Sequence, residues 1–171
     1  MNKFINISLL LGFIIFTGCL ERPHQQRSSS YPQPQYPPIT LDGTHQSNAI
    51  IKEAYRHLGK PYRYGATGPN SFDCSGFVYA VHRNLGISTP RTSRGQSQIK
   101  GKKITKDRLR VGDLVFFDTS SKGHVNHSGI YLGRGKFIHA SSGKAFSVTI
   151  SDINAWYKDK FRWGKRINAD K

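Results

Sequence analysis

The sequence predicts an α+β fold in which helices in the first half of the folded region pack on an antiparallel sheet of about five strands. Three observations lead there. Apolar residues recur at helical spacing between Ser47 and Leu85, and strand-like runs rich in β-branched and aromatic residues take over after Lys106. Between two of those runs, Gly133-Arg134-Gly135 marks a hairpin, which requires antiparallel neighbours.

The chain has 171 residues, a length that suggests one domain once its N-terminal segments are set aside. Met1-Asn2-Lys3 is weakly basic, Phe4 to Phe16 is almost wholly apolar, and Thr17-Gly18-Cys19 follows. This is the layout of a signal peptide over 1–18, too short for a membrane-spanning helix. Residues 19–46 are rich in Pro, Gln and Ser and poor in aliphatics, so they cannot bury enough surface to offset their ordering entropy and read as an extended tether. Residues 47–171 then form the folded domain, about 120 residues, enough for a single core.

Within the domain, Ser47 is the expected N-cap of a first helix carrying Ile50, Ile51, Ala54, Tyr55 and Leu58, with Gly59 and Pro61 as stop signals. A Gly- and Pro-punctuated loop from Pro61 to Asn70 leads to a second helix, capped by Asp73 and marked by Phe77, Val78, Val81 and Leu85. A short third helix is expected after Thr92 or Ser93. Strands are expected over 114–117, 128–132, 136–140, 145–150 and 161–167, with a short helix over Ile153 to Tyr157.

The chemistry centres on Cys74, at the expected start of the second helix. A helix N-terminus carries partial positive charge and unpaired N–H groups, which favour thiolate over thiol. A nucleophilic cysteine needs a base within reach, and the base needs a group to orient it. Seven histidines compete. His24 and His45 lie in or beside the tether, and His57 and His82 sit among polar neighbours where solvated side chains are expected, which leaves His124, His127 and His139. A three-residue Gly133-Arg134-Gly135 loop pairs Leu132 with Lys136 and sets Gly129 opposite His139. His127 and His139 then share one side of the hairpin as diagonal neighbours, whereas a two-residue loop sends them to opposite faces. The arrangement expected is Cys74 as nucleophile, His127 as general base and His139 as its orienter, with His124 retained as a rival base.

Asp73-Cys74-Ser75-Gly76-Phe77, Gly112-Asp113-Leu114-Val115-Phe116-Phe117, His127 to Gly133 and Phe137-Ile138-His139-Ala140 occur in an order and spacing that resembles the NlpC-type cell-wall peptidases, papain-like cysteine peptidases of bacteria. The resemblance covers about residues 48–167. It implies a papain-like fold and hydrolysis of peptide bonds in the stem peptides or crosslinks of peptidoglycan, with Cys74, His127 and His139 at the triad positions. Tyr62 matches a tyrosine that lines the family's active site. Asp73 matches a position that contacts a free peptide amine in some relatives, beside its reading as a helix cap. The segment ending in Cys19 resembles a lipoprotein processing site, which implies lipidation of Cys19, a lipid anchor in the membrane, and, with Leu20 following, the outer membrane. Lipidation also removes the thiol that could otherwise pair with Cys74 in a disulfide. The whole layout resembles Spr-type outer-membrane lipoprotein endopeptidases, which cut crosslinks between stem peptides, and the chain is expected to act as a monomer.

The formal charge of +16 favours acidic partners. An exported chain without a nucleic-acid-binding signature points to carboxylate-rich wall peptides and anionic lipid rather than nucleic acid. The peptidase chemistry needs no cofactor. Two other readings use the same residues: a zinc site on Cys74, His124, His127 and His139, and a wall-binding module that keeps the fold without turnover.

Overall fold

The computed structural model describes residues 44–167. The expected signal peptide, Cys19 and nearly all of the tether lie outside these residues. Helix α1 (His45–Tyr55) is capped by Thr44, whose side chain accepts from the Ser47 N–H at 3.3 Å. The expected cap, Ser47, therefore sits one turn inside the helix, where its hydroxyl donates to the Thr44 carbonyl at 2.9 Å. Two residues of the capping type stand three apart, and the first one takes the role.

Helix α2 (Cys74–Arg83) starts where expected, with Asp73 in extended conformation accepting from the Gly76 N–H at 2.6 Å. The short helix α3 (Ser93–Ser97) is capped by Thr92. Five strands follow: β1 (Leu114–Phe117), β2 (His127–Gly133), β3 (Lys136–Ala140), β4 (Val148–Asp152) and β5 (Phe161–Lys165). They form one antiparallel sheet in the order β4-β3-β2-β1-β5, so the α+β class stands.

Side chains alternate across this sheet, and the two faces build two cores. Leu114 and Phe116 join Ile130, Ile138, Ala140 and Val148 against Ile50, Ile51, Ala54, Phe77, Val78 and Val81 of α1 and α2. Val115 and Phe117 point the other way, into a smaller cluster with Phe137, Ile153 and Tyr157. His127 and His139 lie on this second face: the His127 ring is 6.0 Å from Phe117, and His139 stacks on Phe137 at 4.6 Å.

Three local expectations change. The β2–β3 connection is a two-residue turn, Arg134-Gly135, with φ of 51° and 74°, the left-handed pair a tight hairpin requires. Gly133 pairs with Lys136, and Leu132 is left over as a bulge between Tyr131 and Gly133. The bulge restores the parity that the shorter turn would have reversed, so Ile130 still faces Ile138. Strand β4 begins at Val148 instead of Ala145, because Phe146 takes a left-handed φ of 43° in a turn closed by its N–H to the Gly143 carbonyl. Residues 153–160 are successive turns, not a helix. Hydrogen bonds such as Lys158 N–H to the Ala155 carbonyl span three residues and never propagate.

The start of α2 is pressed against the loop before it. A Cβ on residue 76 would lie 2.0 Å from the Ala66 carbonyl oxygen, a backbone atom that cannot swing away. Gly76→Ala is therefore expected to destabilise the fold by about 2 kcal/mol, the range of core overpacking, read as a lower urea midpoint at unchanged m-value.

Candidate active site

Asp73 is the fixed point of the site. Besides the Gly76 N–H, its carboxylate accepts from the Gly65 N–H at 2.9 Å and the Ser75 hydroxyl at 3.2 Å. Arg91 closes a two-pronged pair on it at 3.0 and 2.7 Å. Burial alone would raise this carboxyl, but Arg91 and the two N–H groups outweigh it and hold it below the ordinary carboxylate range. Both carboxylate oxygens are engaged, which carries the cap role. Arg91 was not singled out in the sequence, where it stands in a polar run without periodicity.

Cys74 is a free, partly exposed cysteine. Its Sγ lies 3.6 Å from the Ser93 hydroxyl and 3.9 Å from the carbonyl oxygen of Asn126, the residue before His127. Behind it runs a buried chain of polar groups. Gln96 donates both amide N–H groups to carbonyls, of Ser75 and Pro90, each at 2.9 Å. Its oxygen is thereby left to accept from Ser128 at 2.8 Å, and Ser128 in turn meets Ser93 at 3.0 Å. The Ser93 hydroxyl can then donate either to Ser128 or to Sγ, which suits it to both the thiol and the thiolate.

His127 and His139 meet as the hairpin parity requires, with Nε2 of His127 2.8 Å from Nδ1 of His139. His139 Nε2 lies 2.9 Å from the Ser151 hydroxyl on β4. When Ser151 accepts, His139 carries its proton on Nε2 and accepts at Nδ1 from His127 Nε2–H. That tautomer leaves His127 Nδ1 as an open lone pair. Ser151 lies one residue past the expected end of its strand, which runs on to Asp152. His124 is exposed and bonds to the Lys122 carbonyl at 3.2 Å, outside the His127–His139 pair.

Aromatic rings wall this pair. Tyr157 stacks on His127 at 5.9 Å and stands edge-on to His139 at 5.4 Å, and its phenol is pushed up to about 12 by burial. Tyr62 is half-buried, packs on Phe146 at 5.5 Å and hydrogen-bonds with Ser142. Burial pushes its phenol up, and the charges of Cys74 and Asp73 add to this.

Burial dominates the protonation of the site. It pushes the Cys74 thiol up, the Asp73 carboxylate adds to this, and hydrogen bonds from Ser93 and the N–H groups of Ser128 and Ser75 oppose it. Burial lowers His127 to about 4 and His139 well below its ordinary value. Burial thus opposes both the thiolate and the imidazolium, where the helix start alone favours a thiolate. Two histidines expected in solvent, His57 and His82, are also buried; neither belongs to the site. No cluster of three or more His, Cys, Asp or Glu side chains suited to a metal occurs among the described residues.

The profile of the NlpC/P60 family matches residues 59–166, from the loop before Tyr62 to the end of the sheet. The chain belongs to the NlpC/P60 family. Over 92 residues it is 48% identical to a probable endopeptidase p60 of Listeria innocua, covering 54% of this chain and 19% of that protein. It is 37% identical over 116 residues to the murein DD-endopeptidase MepH of Escherichia coli, covering 66% of this chain and 43% of that protein. The matches thus span less than half of either relative. The crystal structure of the NlpC/p60 domain of the peptidoglycan hydrolase SagA superposes with a TM-score of 0.62 at 32% identity, covering 71% of this chain and 98% of that one. The papain-like arrangement implied by the sequence is therefore the fold of this NlpC/P60 domain.

Neutral burial of the histidines has a pH signature. His127 falls from 6.5 to about 4 on folding, so in that window the unfolded chain binds a proton that the folded chain excludes. The stability present above pH 6.5 is lost as pH falls toward 4, by about 3 kcal/mol from His127, with His139 acting in the same direction. Urea midpoints at about pH 7.5 and 4.5 measure the loss, which should shrink in His127→Asn.

Proposed function

We propose that this NlpC/P60 domain is a cysteine peptidase of the bacterial cell wall, an endopeptidase that cuts peptide bonds in peptidoglycan stem peptides or their crosslinks through an acyl-enzyme. The observation that carries the reading is the 2.8 Å His127–His139 bond, made in the register that frees His127 Nδ1, on the segment whose preceding carbonyl touches the Cys74 thiol. The relatives named for endopeptidase and peptidoglycan hydrolase activity support the substrate.

In this mechanism the neutral Cys74 thiol gives its proton to His127 Nδ1 as sulfur attacks the peptide carbonyl. The ion pair so formed exists only during attack. His139, with Ser151 behind it, keeps the imidazolium oriented but brings no negative charge. The N–H of Cys74, first in α2 and without an intrahelical partner, and the Tyr62 hydroxyl face the developing oxyanion. His127 returns the proton to the leaving amine, and water then releases the acyl group. Asp73 acts through the backbone, by holding the helix start. The scissile bond is D-Ala to diaminopimelate or γ-D-Glu to diaminopimelate, each flanked by carboxylates that suit a basic chain.

Digests of purified muropeptides, read by mass spectrometry, test this directly. Wild type should release new peptide fragments whose masses name the bond, Cys74→Ser should release none while keeping its fold, and His127→Ala should lose about 100-fold or more. His124→Ala should lose little. Equal losses in the two histidine variants would contradict the assignment of the base.

The sequence supports export and a lipid anchor at Cys19, with residues 19–46 as tether up to its last two residues, which belong to α1, and the domain acting as a monomer at the outer membrane. No helix of the described residues is long and apolar enough to cross a membrane. Labelled palmitate should enter the wild-type chain in bacterial cells and not Cys19→Ala, which should fractionate as soluble; label retained in the variant would refute the anchor.

A further inference from the structure

A groove of about 410 Å³ opens beside α3, lined among others by Arg94, Lys103, His124, Val125, Trp163 and Lys165. Three cationic side chains and a histidine line it, and none of its lining residues is acidic. Two other arginines are answered by carboxylates, Arg91 by Asp73 and Arg162 by Asp118. Among the described residues, Arg94 and Lys103 have no such partner. Asp118, the acidic residue closest in sequence to the Gly123–Val125 wall, turns inward to accept from Arg162 and from the N–H groups of Lys122 and Gly123.

The charges are held in place. Trp163 donates its indole N–H to the Ser97 carbonyl at 3.3 Å, and the Lys103 ammonium sits 3.7 Å from the centre of its ring. Lys165 is buried and donates to the Gly101 carbonyl. Two chain segments link the groove to the thiol. Arg94 follows Ser93, and Val125 precedes Asn126, and these two neighbours are the residues that touch Cys74 Sγ. A concavity of one sign of charge focuses potential on whatever enters it, and a guanidinium beside an ammonium matches a carboxylate.

We propose that this groove is a carboxylate-binding subsite that holds an acidic portion of the peptide substrate next to the bond cut at Cys74. The inference rests on the peptidase reading above and adds to it where part of the specificity is set. Arg94 and Lys103 are exposed, so replacing them leaves the core and the Cys74–His127–His139 set untouched.

The test uses the full chain, the double variant R94Q/K103Q, and two probes: a crosslinked muropeptide with free carboxylates and the same muropeptide with its carboxylates amidated. On the acidic probe the double variant should show a KM raised about tenfold with kcat unchanged, the sum of two charge contacts. On the amidated probe the two proteins should be alike. Added sodium chloride should raise KM for wild type and much less for the variant. An unchanged KM on the acidic probe, or an equal loss on both probes, overturns the subsite. A second arm titrates the acidic muropeptide into Cys74→Ala with and without R94Q/K103Q by calorimetry, so binding is read without turnover. Weaker binding only when Arg94 and Lys103 are replaced supports the groove; identical binding overturns it. Failure of the wild-type chain to cut either probe would instead refute the peptidase reading, a result separate from both arms.

Discussion

One carboxylate organises the catalytic end of this domain. Asp73 ties the Gly65 loop, the first turn of α2 and Arg91 to a single pair of oxygens, so three segments distant in sequence converge on the residue that precedes the thiol. Hydrogen bonds between charged and neutral partners are the strong ones, and burial removes the water that would compete with them. Cys74 has little freedom of its own: its backbone is fixed by this cap, and Gly76 two residues on lets the loop carbonyl of Ala66 approach. Much of what surrounds the thiol is arranged with respect to Asp73.

A second constraint comes from the sheet. The thiol stands at a helix start and the imidazoles hang from the strand face opposite the helices, and the start of β2 meets both: the Asn126 carbonyl touches Sγ and the next residue, His127, bonds to His139. Ser128 points to the helix side and enters the Gln96–Ser93 chain behind the sulfur, while His127 points to the other side and meets His139. Adjacent residues of one strand thus serve two halves of the site, a direct use of the period-two alternation. The bulge at Leu132 keeps that alternation in phase between β2 and β3.

Charge is treated differently inside the site and around it. Inside, burial disfavours the charged forms of the thiol and of both imidazoles, because a buried ion is costly unless paired. Around it, a chain of net charge +16 presents unpaired basic groups to solvent. A neutral reacting pair in a positive surround suits a substrate that carries carboxylates yet reacts at an uncharged amide.

Much of this was legible in the sequence. The apolar periodicities of α1 and α2, the Asp73 cap, the run Leu114–Phe117 and the shared side of His127 and His139 follow from local chemistry and strand parity, and the motifs place the family. The errors came where local signals were balanced or silent. Thr44 and Ser47 were equally good caps, and a Gly-Arg-Gly stretch admits both a three-residue loop and a two-residue turn with a bulge. Phe146, which no local rule expects at positive φ, delayed β4. Arg91 and Gln96 lie in polar runs without periodicity and Ser151 just past the expected end of its strand, so their partners exist only through long-range pairing. The protonation of the site was likewise beyond the sequence: a helix start favours thiolate, and only the packing of rings and strands around Cys74 and His127 shows that burial prevails. Sequence alone determined which residues meet along each element, because caps, turns and parity are short-range. The tertiary structure decided which distant polar groups partner them and what charge they carry, because desolvation and hydrogen bonding across elements depend on the assembled core.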